Sequence, residues 1–226
     1  MKQRDLTEGG ITGNLLLFAL PLMAGNLLQQ CYNIADTLIV GRCLGANALA
    51  AVGSSYTLMT FLTSILIGMC MGSGAVFSIR FGEKDQKKLK EGILHSFGLI
   101  AVMTVVINIL VYAFLPLILK ILQVPEEVLP YMRTYLLVIF AGISATFLYN
   151  YFAALLRAVG NSVVPLIFLA ASTVLNIGLD LLFVLGFGWG VAGAAGATVL
   201  AQFVAGIGIT LYTLLYFPEF RITRNE

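Results

Sequence analysis

The sequence predicts an all-α polytopic membrane protein with six transmembrane helices. Long apolar runs, scarce charge and clustered positive residues carry that prediction. Of the 226 residues, 59% are hydrophobic and only 11% are charged, against about 25% charged in a typical soluble domain. The mean hydropathy is +0.96. A core of this composition packs in lipid, and soluble enzyme classes are disfavoured from the outset.

Six stretches are each longer than the ~20 residues that cross a ~30 Å hydrocarbon layer. They run over residues 14–40, 48–79, 92–119, 131–156, 162–185 and 191–217. Barrel strands are excluded, because those would be ~10 residues long with period-two alternation. The first run is too long for the 7–15-residue apolar core of a cleavable signal, so it is expected to be a true span. Residues 41–47 and 186–190 are expected to be short glycine-bearing turns. Residues 80–91 are read as a charged loop, 120–130 as a connection with two prolines, and 157–161 as the turn RAVGN. Residues 1–13 and 218–226 are left as tails. Pro21, Pro116 and Pro165 lie in or at the start of spans, where a proline can kink a helix.

Positive charge sets the orientation. With the N-terminus inside, the inner segments hold Lys2, Arg4, Arg80, Lys84, Lys87, Lys88, Lys90, Arg157, Arg221 and Arg224. The outer segments hold Arg42, Lys120 and Arg133. This bias predicts cytoplasmic termini.

Two carboxylates break the apolar runs. Asp36 and Asp180 lie inside spans one and five, while the other nine acidic residues fall in polar gaps or tails. A carboxylate at a helix centre in lipid costs roughly 2.5 kcal/mol or more and marks an ion or proton path. With the predicted orientation, both lie in the outer half of the membrane. Asn26, Gln29, Asn33 and Asp36 recur at spacings of three and four, as do Thr173, Asn176 and Asp180, so each set shares a helix face. Two polar stripes ending in carboxylates at matching depth predict the walls of one cavity. Thr198 and Gln202 on span six, and Tyr135, Tyr149 and Asn150 on span four, are further candidates for its lining; the alternative for each is an ordinary interhelical hydrogen bond.

The remaining polar features point elsewhere. Cys31, Cys43 and Cys70 have no paired ligand spacing and are expected to be packed or interfacial thiols. His95, the single histidine, follows a charged segment and reads as interfacial. Gly68, Gly72, Gly74, Gly193 and Gly196 suit close helix packing, not a phosphate cradle, since GxxxxGK[ST] is absent. No HExxH or GxSxG is present, so no catalytic constellation is expected, nor any cofactor or nucleic-acid partner. An internal echo links NIADTLIVGRCLGANALAAVG (33–53) with NIGLDLLFVLGFGWGVAGAAG (176–196), and internal repeats are frequent in transporters.

The segments LPLMAGNLLQQCYNIADTLIVGRCLGANALAAVG, GMCMGSGAVFSIRFGEKD, LLRAVGNSVVP and NIGLDLLFVLGFGWGVAGAAGAT resemble the N-terminal half of multidrug and toxic compound extrusion (MATE) transporters. The resemblance runs along essentially the whole chain. It implies one six-helix lobe of a twelve-helix, two-lobe fold in a bacterial or archaeal cell membrane. It implies antiport of drugs, organic cations or metabolites against H⁺ or Na⁺. In prokaryotic members the N-lobe cation site has an aspartate on helix one, an asparagine and an aspartate on helix five, and a threonine on helix six. Those positions are here Asp36, Asn176, Asp180 and Thr198. A second lobe is absent from the sequence, so the expected partners are a C-terminal lobe or a second copy, besides lipid and substrate. Carboxylates with amide and hydroxyl oxygens suit Na⁺ and a carboxyl pair suits H⁺, which leaves both open. A lipid-linked-glycan flippase is the competing reading, but its cavity would hold basic residues for pyrophosphate, and no Lys or Arg lies deep in a span. A truncated lobe without transport activity is the other alternative.

Overall fold

The computed structural model describes residues 11–217 and residue 220, and all the long elements are helical. Most of the two expected tails, with Lys2, Arg4, Arg221 and Arg224, lies outside the described residues. Helix α1 is Ile11–Leu44, α2 is Ala46–Gly82 and α3 is Gln86–Ile121. Helices α4 (Leu129–Ala141) and α5 (Ile143–Ala158) follow. Helix α6 (Val163–Asp180) runs directly into a π-helical turn, Leu181–Gly186, and α7 is Gly190–Tyr216. Five helices are individually long and apolar enough to cross a membrane, and the count reaches six where α4 and α5, bent by 47° at their junction, are taken as one span.

The polar gaps are shorter than expected. Helix α1 continues through Gly41, Arg42 and Cys43 to Leu44, and the chain turns at Gly45 alone, where φ is +86°. Apolar content marks only what sits in lipid, whereas a helix continues until a residue breaks it. The charged segment after Arg80 is likewise mostly helix ends. Asp85 caps α3 by accepting the Lys88 N–H at 3.1 Å, an ordinary N-cap. That N–H, together with the Lys88 ammonium, holds the Asp85 carboxyl below the usual carboxylate range. Gly45 and Gly188 each follow the first Asn of the internal echo by twelve residues, and both have positive φ (+86° and +65°). The echo is thus partly one of turn chemistry.

Span four is not one helix. It breaks at Gly142, where α4 and α5 meet at 47°. The three prolines do not mark this bend: Pro21 and Pro116 sit inside continuous helices and Pro165 is in the first turn of α6. Helix α5 forms the centre of the lobe. Its Tyr151, fully buried, packs its ring against Phe77, Phe97, Phe147 and Phe152 and donates to the Ile93 carbonyl at 2.8 Å. Large apolar side chains on α1 and α3, Leu20, Leu27, Val102 and Ile109 among them, are exposed on the outside of the bundle.

Close helix crossings fall at different glycines from those expected. A Cβ on Gly206 would lie 2.7 Å from the Ala145 carbonyl oxygen, one on Gly208 2.7 Å from the Phe168 ring, and one on Gly142 2.8 Å from Val199. Gly74 and Gly193 do pack closely, but Gly68, Gly72 and Gly196 have nothing within 4 Å. Whether a small residue lies on a contact face depends on helix rotation, which composition does not encode.

Candidate functional site

Four elements converge on the two carboxylates. Helix α1 supplies Asp36 and Tyr32, α6 supplies Asn176 and Asp180, α7 supplies Thr198 and α4 supplies Tyr135. Asp36 is 7% exposed, Asp180 0%, Asn176 1% and Thr198 3%. Asp36 and Asp180 lie within hydrogen-bonding reach of each other. That contact bonds only when one carboxyl carries a proton. Otherwise the site holds orphan acceptors: Asp36 Oδ1, Asn176 Oδ1 and both Asp180 oxygens are buried without a hydrogen-bond partner. Buried polar groups in this condition are rare and call for an ion, a proton or water.

The surrounding bonds orient the set. Asn176 Nδ2 donates to Thr198 Oγ1 at 3.2 Å, which leaves the buried Asn176 carbonyl oxygen free of that bond. Thr198 Oγ1 also lies 3.0 Å from the Tyr32 hydroxyl, tying α1 to α7. Tyr135 of α4 is 5% exposed. Carboxylate, amide and hydroxyl oxygens without nitrogen or sulfur suit a hard cation. No cluster of three or more His, Cys, Asp or Glu exists among the described residues, so a soft transition metal finds no ligand set there.

The α6 stripe is buried as expected, with Thr173 bonded to its own helix at the Leu169 carbonyl. The α1 stripe is not. Asn26 and Gln29 are exposed, and Asn33 is turned toward Gln30 (3.3 Å) and Tyr56 of α2 (3.5 Å). Asp36 alone of that stripe reaches the site. Tyr32 takes the place expected for Asn33. The signal for it was available, since Tyr32 is four residues before Asp36 and so on its face. Asn150 and Gln202 also lie apart, in a second polar group: Thr146 Oγ1 donates to Gln202 Oε1 at 2.8 Å, and Asn150 Nδ2 donates to the Thr146 carbonyl at 2.8 Å. Tyr149 instead donates to the Pro165 carbonyl at 3.0 Å. Cys31 and Cys43 are exposed and Cys70 is buried, all as free thiols. His95 is exposed and bonds its own helix at the Glu91 carbonyl.

A bundle of long apolar helices that buries two carboxylates among amide and hydroxyl oxygens has the make-up of a multi-pass membrane transporter. The comparisons agree. The MatE family model matches residues 21–182. The chain is 36% identical over 222 residues to the probable multidrug resistance protein YpnP of Bacillus subtilis, covering 98% of this chain and 49% of that protein. It is 31% identical to the probable multidrug resistance protein NorM of Thermotoga maritima, covering 95% of this chain and 47% of that protein. A crystal structure of MATE in complex with MaD3S superposes with a TM-score of 0.91 at 26% identity, over 100% of this chain and 51% of that one. The chain belongs to the MATE family of transporters. It spans about half the length of the curated relatives it matches.

Proposed function

We propose that residues 14–217 form one six-helix lobe of a cation-coupled efflux transporter for drugs, organic cations or metabolites. In this reading Asp36, Asn176, Asp180 and Thr198 bind the coupling cation, H⁺ or Na⁺, with Tyr32 and Tyr135 around them. The observation that carries it is the group of four buried oxygen atoms without donors. The relatives are multidrug resistance and multidrug export proteins by name, which supports the substrate class. The exposed polar residues Asn26 and Gln29 on α1 support a wall that faces a second lobe or copy across a substrate cavity.

A carboxyl-directed carbodiimide tests the site. It attacks the protonated carboxyl and should modify Asp36 or Asp180 in the purified chain. Suppression by sodium at constant pH identifies Na⁺; labelling that sodium leaves unchanged and that falls as pH rises identifies H⁺. Modification indifferent to both rejects the assignment.

The proposed orientation places both termini in the cytoplasm. In a background lacking Cys31, Cys43 and Cys70, an impermeant thiol reagent applied to intact cells should label cysteines at Glu126 and Gly188 but not at Lys87. The reverse pattern would overturn this orientation.

A further inference from the structure

We infer that the aromatic clusters at the two ends of α7 seat in the headgroup–acyl boundary of the bilayer, one on each face of the membrane, with α7 as the strut between them.

The first cluster closes the turn between the π-helical segment and α7. Positive φ at Gly188 (+65°) and Gly190 (+61°) folds the chain back, and the Trp189 N–H donates to the Phe183 carbonyl at 2.9 Å. The Trp189 ring then lies 4.9 Å from that of Phe183 and 5.1 Å from that of Phe187, centroid to centroid. Phe183 is buried beneath, while Phe187 and Trp189 are 55% and 56% exposed. Rings at this spacing are in contact with one another, so no cation fits between them and the cluster is a wedge rather than a cage. No Asp, Glu, Lys, Arg or His occurs from Leu181 to Pro218. The other connections between spans do carry charge, Arg42, Lys84, Glu126 and Arg157 among them. A turn without charge has nothing to hold it out in water, and Trp, with an apolar body and one N–H donor, suits the boundary layer.

The second cluster is at the far end of the same helix. Tyr212 stacks on Tyr216 with centroids 4.7 Å apart, and Phe217 lies 6.3 Å from Tyr212. Tyr216 is 70% exposed. Tyrosine also joins an apolar ring to a polar tip, the pattern of interfacial belts.

The spacing fits a membrane. Helix α7 is continuous from Gly190 to Tyr216 and contains no proline. From Trp189 to Tyr212 is 23 residues and to Tyr216 is 27, roughly 35 and 40 Å of helix. The hydrocarbon layer is about 30 Å thick and the bilayer with its headgroups about 40–45 Å. Both clusters therefore fall in the boundary layers when α7 stands near the membrane normal. The same rise puts Thr198, nine residues along α7 from Trp189, roughly 13 Å inward of the first cluster. The Asn176–Thr198 hydrogen bond carries that depth across to α6.

Trp189 is the only tryptophan, so the fluorescence of the unmodified full chain reports the turn and needs no substitution. The purified chain is reconstituted in phosphatidylcholine vesicles whose acyl chains carry bromine near the headgroup or near the methyl end, with iodide as the aqueous quencher. Head-proximal bromine should quench most, at a depth of about 17–20 Å from the bilayer centre, half the distance between the clusters. The variant Trp189→Phe/Tyr216→Trp should report the same depth. The variant Trp189→Phe/Val204→Trp places the reporter at an exposed position in mid-helix, where methyl-end bromine should quench most. Quenching of Trp189 mainly by iodide puts the turn in water, and quenching mainly by methyl-end bromine puts it in the hydrocarbon; either overturns the anchor. Shielding of Trp189 from all three quenchers, as when a second copy or lobe covers the turn, overturns it as well. Boundary depth at position 204 would mean that α7 lies along the surface, and aqueous exposure at position 216 would remove the second anchor; either overturns the strut.

Discussion

Asp36→Asn and Asp180→Asn, each introduced into a two-lobe context, are expected to reduce drug export to background while leaving membrane insertion intact. Asn keeps the volume and planarity of Asp, so the helix contacts around positions 36 and 180 persist. It cannot take up or release a proton, and it removes a formal charge from the oxygens available to a metal cation. Asp180 is the more severe test, since it is fully buried with both oxygens unpartnered. Changing either residue leaves the other carboxyl without its neighbour, so the effects should not add. Drug resistance in an efflux-deficient strain is the measurement, with membrane content checked by immunoblot. Normal resistance from either variant would refute the coupling role.

The largest effect on stability is expected at Gly206. A Cβ there would lie 2.7 Å from the Ala145 carbonyl oxygen and 3.4 Å from Leu148 Cβ. The nearer obstacle is backbone at the start of α5, which cannot swing aside as a side chain can. Helices α5 and α7 would have to separate, and the Thr146–Gln202 bond and the Gly142–Val199 fit lie on the same contact. Gly206→Ala should therefore cost about 1–3 kcal/mol, the usual range for overpacking, and Gly206→Val more. Gly196→Ala, on the same helix with open space around it, should be neutral or stabilising by up to about 1 kcal/mol, because Ala is the better helix former. Thermal unfolding in mild detergent, followed by loss of monodisperse protein, compares them. Equal melting temperatures for the two alanine variants would contradict this account of the α5–α7 contact.

Hydropathy alone located the spans, since partition into lipid depends on each segment's own composition and each helix satisfies its backbone internally. The two aspartates stood out for the same reason: charge in lipid is exceptional wherever the chain then goes. Local spacing also sufficed for α6, where Thr173, Asn176 and Asp180 share a buried face. It failed on α1. The spacing of Asn26, Gln29, Asn33 and Asp36 is sound, yet only Asp36 is buried, because packing against α2 and α6 sets the helix rotation and turns Tyr32 inward instead. The bend at Gly142 was equally hidden. A single glycine in an apolar run is compatible with a straight helix, and what distinguishes Gly142 is Val199 packed where its side chain would lie. What the sequence determined by itself is what lipid and local helical geometry dictate: long apolar helices and two buried carboxylates. What the tertiary structure decided is which faces meet, because that depends on residues far apart in the chain fitting one another.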